Sequence, residues 1–482
     1  MHFVILPYIC CAASHVTAYT ERSAHKKGNS HRIAQSTVLS SRPKSLRLAS
    51  LIVDSFDSVL HLLLLTVVYP GGLTYRLFAN RLRGPLPTLT DPTTDPAPAL
   101  GLADISLVRG GLFYRFQQTL GFIHPNRWNL GRRIAVLIAI GWVPLVAITA
   151  FANPGGLPSL FADYRVYARL FVAIPVLLSG EFLIDLRFHT VLKSINEADL
   201  LGEQDTTQME RAMAKIVHLR DSLVPELLIL GLLLVYILTS YRGSMDGTPW
   251  FAQGMGSDIR LTTAGWYGVS VGTLLWLFLL SLGLWHWFLW TLFAFKLSRQ
   301  NLKVVATHPD GHGGIGFLGL TIEAFAPIAF AATCVIGSTW RHHILHDGAH
   351  LLSYKVPAII LLLIIVLIAL APLFFFSPRL FLLRYSALRK YGVVGQQYST
   401  EFQEKWIEHP TGHKGESLAT TESGRLVAYG HIFDRITKLK PFPLDKGALY
   451  VLAIAVVLPL LPAVLTEIPF AVVMKDLLKA LR

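Results

Sequence analysis

The sequence predicts an all-α integral membrane protein with about seven transmembrane helices and its N-terminus in the cytoplasm. Three observations carry this. Of 482 residues, 52% are hydrophobic and only 15% charged, with a mean hydropathy of +0.49; a soluble domain carries roughly a quarter charged residues. The apolar residues gather in uninterrupted runs rather than amphipathic stripes, and Lys and Arg are dense between alternate runs.

The first 50 residues are a basic, Ser- and His-rich extension with Glu21 as the only acid, and they read as disordered or targeting-like. In residues 51–133, the run at 51–69 is interrupted by Asp54, Asp57 and His61. It reads as a helix lying in the interface, followed by a Pro-rich linker at 85–104. Six spans are expected within 134–376, at about 134–151, 170–186, 223–241, 265–295, 315–339 and 356–376. Each is long enough to cross roughly 30 Å of hydrocarbon at about 1.5 Å per residue. Between the second and third lies an amphipathic insertion, 187–222, with Leu192, Ile195, Leu200, Met209, Met213 and Ile216 spaced for two short helices on the cytoplasmic surface. Residues 377–447 form a cytoplasmic insertion, helical at both ends with a polar middle, and 448–482 supply the last span and an interfacial C-terminal helix.

Orientation follows from the bases. The segment 377–447 has eleven Lys or Arg, and Arg132, Arg133, Arg187, Lys193, Arg211 and Lys215 crowd the other even connections. The loops at 152–169, 242–264 and 340–355 hold two each. Basic loops stay on the cytoplasmic side. The formal charge of +13 is then explained by topology and by anionic lipid headgroups, the expected partners along with the bilayer itself. No nucleic-acid partner is expected, because no basic module with interleaved aromatics stands in the soluble parts.

Several classes drop out. Cys10, Cys11 and Cys334 make no disulfide framework or metal clip. No GxSxG, Walker loop, HExxH or dinucleotide fingerprint is present. Neither is an internal repeat of the kind that marks many transporters.

Ionisable groups inside spans are costly and face a protein interior or a water path. Here they are Glu181, Asp185, Glu226, Glu323 and His286. The four acids fall toward the cytoplasmic end, where they read as the lining of a polar cavity or ion pathway. Between spans four and five stands "THPDGHGGIGFLG", residues 307–319. Its His308 and Asp310 suit a divalent transition metal, while Gly313 and Gly314 would let backbone N–H groups approach an anion. The competing reading is a helix-capping turn in which Asp310 accepts N–H bonds. A second, weaker metal candidate is the outer cluster His342, His343, His346 and His350, in which Gly348 weakens the helix where a third ligand is needed. His286, flanked by Trp285, Trp287 and Trp290, reads as part of an interfacial aromatic belt.

The stretches "DSLVPE" (221–226), "ATHPDGHGGIGFLG" (306–319) and "LKPFPLDKGALYVLAIAVVLPLLPAVLTEIP" (439–469) resemble an uncharacterised family of bacterial multi-pass inner-membrane proteins with a His-Pro-Asp…Gly-Gly motif. The resemblance runs from about residue 130 to the C-terminus and implies a bacterial cytoplasmic-membrane location. His308, Pro309, Asp310, Gly313 and Gly314 match its motif, whereas the position of His312 varies, which implies a bystander. It implies no activity. Three functional expectations follow: binding or passage of a small solute or ion through a cytoplasm-facing polar cavity; a membrane-embedded metal-dependent enzyme or redox protein using His308 and Asp310; or a scaffold presenting a cytoplasmic segment.

Overall fold

The computed structural model describes residues 105–122, 128–240, 248–254, 260–408 and 421–467. All belong to the larger of two compact units, Val59–Arg482. The readings of residues 1–50, the helix at 51–69, the linker at 85–104, Cys10 and Cys11, and the C-terminal interfacial helix lie outside the described residues, apart from the first residue of that helix.

Among the described residues, seven helices are long and apolar enough to cross a membrane: Leu130–Ala152, Tyr164–Glu197, Leu223–Ser240, Thr263–Ser298, Gly316–His346, Leu351–Phe374 and Lys446–Val464, here called spans one to seven. Besides a six-residue helix at Leu157–Ala162, further helices among the described residues are α1 (Gly111–Thr119), α2 (Glu203–Asp221), α3 (Ser377–Gln403, running on through Glu408) and α4 (Thr421–Thr437). A two-residue antiparallel pair, β1 (Ala252–Gln253) with β2 (Arg260–Leu261), sits in the loop between spans three and four.

Spans two and five form the centre of the bundle, each with 72% of its apolar window buried, against 11% for span three and 22% for span six. Leu228, Leu232, Leu238, Leu363 and Leu367 on the peripheral spans are all about 60% or more exposed. Water would not tolerate so large an apolar surface, and lipid tails would. Spans five and seven run parallel and pack on small residues. The Thr333 hydroxyl reaches the Ala455 carbonyl at 3.3 Å, and Gly337 lies so close to span seven that a Cβ there would sit 3.0 Å from the Pro459 carbonyl oxygen. Such close approach is how helices associate where lipid removes the hydrophobic drive between them.

Local chemistry sets the helix ends. The Asp445 carboxylate accepts the Gly447 N–H at 3.1 Å and opens span seven, and Asp163 does the same for span two through the Arg165 N–H. Span five stops at His346, with Gly348 following at φ +69°.

Three expectations change. Residues 187–197 are not a separate surface helix but the continuation of span two, because no breaker interrupts the chain and Phe188, Val191, Leu192 and Ile195 stay buried. The rest of the insertion is the single helix α2, which buries Met209, Met213 and Ile216 as expected. Span one begins at Leu130, so Arg132 and Arg133 lie in its first turns rather than in a loop. The third change concerns the tryptophans: Trp287 and Trp290 are each 3% exposed, packed inside the bundle, and the Trp287 indole donates to the Ile368 carbonyl of span six at 2.9 Å. Span four is apolar all round, so its pattern could not say which face turns inward. In 377–447 helices do stand at both ends; residues 409–420 lie outside the described residues.

Candidate functional site

The polar residues of the bundle meet at the end where the basic connections emerge, around a segment just after the linker at 85–104 to which sequence reasoning assigned no role. Residues 105–119 cross the ends of spans one, two and three. Gly110 and Gly111 let the chain turn into α1, and Gly111, at φ +81°, leaves no room for a side chain: a Cβ there would lie 2.0 Å from the Glu226 carboxylate. Glu226, from the first turn of span three, accepts the N–H groups of Leu112 at 3.0 Å and Phe113 at 2.7 Å. It therefore caps α1, supplying a negative charge at the positive end of a helix dipole.

Glu181, in the middle of span two, is bound by the Arg133 guanidinium at 2.7 Å, and both side chains are almost wholly buried. The Nε of Arg133 donates to the Gln117 side-chain oxygen at 2.5 Å. One turn further along span two, Asp185 accepts from the Ser106 hydroxyl and from Arg109 at 3.1 Å, with the His189 Nε2 at 3.5 Å. Arg220, at the end of α2, forks onto the adjacent Asp221 with two contacts of 2.8 Å and donates to the Ser106 carbonyl. Glu323, near the start of span five, pairs with Arg187 of span two.

All four predicted acids therefore lie near this end, yet each is held by a fixed partner. Sequence reasoning found the acids and missed the groups that hold them, Ser106, Arg109, Arg133 and Arg187, and Gln117, which steadies Arg133. The signal was present, because a carboxylate inside a hydrophobic run must be matched by a base, and Arg133 begins the adjacent run. A cavity of about 50 Å³ lies further out along span two, between Leu192, Ile195, Asn196, Asp199, Met209 and Phe293, and none of the four acids lines it.

Among the described residues, a set of buried N–H groups in the network has no acceptor. They are Arg133 Nη1, Gln117 Nε2, Trp128 Nε1 and Arg109 Nε, and deeper in span four the Nδ1 of His286 is also without a partner. Two guanidiniums lie over the Trp128 indole, Arg109 at 5.3 Å and Arg133 at 5.9 Å from the ring centroid.

The loop "THPDGHGG" is built around Asp310. Its carboxylate accepts the N–H groups of His312 at 2.8 Å, Gly314 at 3.1 Å and Gly316 at 2.9 Å, and the His308 ring lies 2.9 Å away. Burial alone would raise the Asp310 carboxyl, but these donors overcome it and hold the group below the ordinary carboxylate range. Gly311, Gly313 and Gly314 all have φ between +66° and +93°, the left-handed region that the tight turn requires. The glycine-rich nest does hold an anion, and that anion is the loop's own aspartate. The loop is tied to the last span's approach by the Lys440 N–H on the Gly311 carbonyl, 3.0 Å. His312, read as a bystander, is 8% exposed with its Nδ1 2.8 Å from the Asp310 carbonyl oxygen, whereas the His308 side chain is 46% exposed.

On the opposite face His342 and His346 stack with centroids 4.6 Å apart, as four-residue spacing predicts. His343 turns away to Asp347 at 2.6 Å, and His350, past Gly348, is 86% exposed beside Glu467. Among the described residues no three His, Cys, Asp or Glu side chains gather as a metal site would need. Comparison with protein families, curated proteins and solved structures finds no match for this chain.

Proposed function

We propose that this multi-pass membrane protein, set in a bacterial cytoplasmic membrane with its N-terminus inside, binds a small solute at the buried polar network where residues 105–119 meet spans one and two. The observation that carries the reading is the composition of that network. An anchor in lipid needs no buried ion pairs, which cost desolvation and are retained where they serve a specific arrangement. Here Arg133–Glu181 and Arg109–Asp185 draw three separate elements together and still leave N–H groups unused. The acids act as counter-charges that position arginines and Gln117, not as an open cation path.

The test is ligand binding by the full chain in nanodiscs, read by tryptophan fluorescence with a panel of small anions, cations and neutral polar solutes. At least one saturable response is expected, abolished in Arg133→Gln. A panel that gives none with folded protein sinks the reading.

A further inference from the structure

We infer that the solute class bound at this network is a singly charged oxyanion, the phosphodiester of an anionic lipid headgroup or a free small carboxylate or dihydrogen phosphate, held against Trp128 beside Arg109 and Arg133. The inference rests on the solute-binding reading above and deepens it.

The orphaned groups decide the chemistry. Arg133, Gln117 and Trp128 are 2%, 3% and 9% exposed, and each keeps one nitrogen donor with no acceptor among the described residues: Nη1, Nε2 and Nε1 respectively. Arg109 adds its Nε. A buried donor left without an acceptor costs roughly 1–3 kcal/mol, so four in one neighbourhood call for an oxygen-rich partner rather than a cation or an apolar group. They come from three places in the chain: the 105–110 segment, α1 and the approach to span one. Contacts among them place them in one neighbourhood: the Arg133 Nε donates to the Gln117 side-chain oxygen, and both guanidiniums lie over the Trp128 ring.

The charges set the valence. Each guanidinium is already matched by one carboxylate, Arg133 by Glu181 and Arg109 by Asp185. A dianion would be repelled by those carboxylates, whereas one charge shared by two oxygens can take two N–H bonds from a guanidinium and the indole with less repulsion. The Arg109 side chain reaches the surface, 20% exposed, while its partner Asp185 is 4% exposed. The site also lies at the first turn of span one, the level at which headgroup phosphates meet basic residues.

The experiment measures thermal unfolding and tryptophan fluorescence of the full chain under two sets of conditions. In a neutral maltoside detergent, phosphate, acetate or a neutral amide is added at an ionic strength matched with chloride. In nanodiscs, phosphatidylcholine alone is compared with phosphatidylcholine plus phosphatidylglycerol. An oxyanion is expected to raise the melting temperature above the chloride control by mass action. Trp128→Phe keeps an aromatic ring and removes the N–H together with the five-membered ring; measured against its own unliganded melting temperature, it should bind about tenfold more weakly, the worth of one charge-assisted hydrogen bond. A response to free acetate or phosphate assigns a soluble ligand, and a response only to phosphatidylglycerol assigns a headgroup. Saturable binding of the neutral amide alone overturns the oxyanion inference and leaves the solute reading standing. A Trp128→Phe affinity equal to the parent's also overturns it. No saturable response to any of these, with water alone filling the four donors, overturns both.

Discussion

Three backbone N–H groups and an imidazole meet one carboxylate at Asp310. Asp310→Asn preserves the shape, removes the charge and turns one acceptor into a donor facing N–H groups. Loosening of the loop by roughly 2–3 kcal/mol is expected from lost charge-assisted bonds. Amide exchange at His312, Gly314 and Gly316 measures it, and unchanged protection at pH 6 would refute the assignment. The pH dependence has a definite sign. The folded carboxyl is depressed, so its stabilisation is complete above the ordinary value of 3.8 and disappears as pH falls through the folded value. In Asp310→Asn that acid-side loss should vanish. The sequence offered two readings of this motif, a site and a capping turn, and the residues alone could not choose. Whether glycine N–H groups hold an outside anion or an inside one depends on where the Asp310 side chain points, a matter of backbone φ at three glycines.

At the scale of elements, the span one–span two joint depends on Arg133 and Glu181. Arg133→Met leaves a buried carboxylate without a counter-charge and is expected to cost about 3–5 kcal/mol. The double variant Arg133→Met with Glu181→Met should recover most of this, because both charges then leave together. A double-mutant cycle on thermal unfolding in detergent reads the coupling; additive losses would mean the two side chains are independent. The helices themselves were legible from hydropathy, and the observed span boundaries lie within a few residues of the expected ones at most ends. The exceptions have causes. Spans two and five run on for eleven and seven residues, to Glu197 and His346 against expected ends at 186 and 339, because helix continues past the hydrocarbon until a breaker stops it. The polar segment 105–119 was missed because α1 is short and is held by Glu226 from a distant part of the chain.

For the whole molecule, the bases place the network, α2, α3 and the Asp310 loop on one side and β1, β2 and the outer histidines on the other. In a background without Cys10, Cys11 and Cys334, a membrane-impermeant maleimide on intact cells should label His350→Cys and spare Glu401→Cys until the membrane is opened. The reverse pattern would invert the topology. The long arm of α3 and α4 extends from the basic side with Val393, Ile407 and Val427 each about 60% or more exposed.

Sequence by itself determined the class, the seven apolar spans of the described residues and the four costly acids, because transfer of side chains between water and hydrocarbon is a local property that sums along a chain. Only tertiary structure decided what those groups do. It matched Glu181 with Arg133, Glu323 with Arg187 and Glu226 with the N–H groups of α1, it turned Trp287 and Trp290 inward, and it closed the glycine loop on its own aspartate. Pairing joins residues dozens of positions apart, and hydropathy contains nothing about which helix faces which.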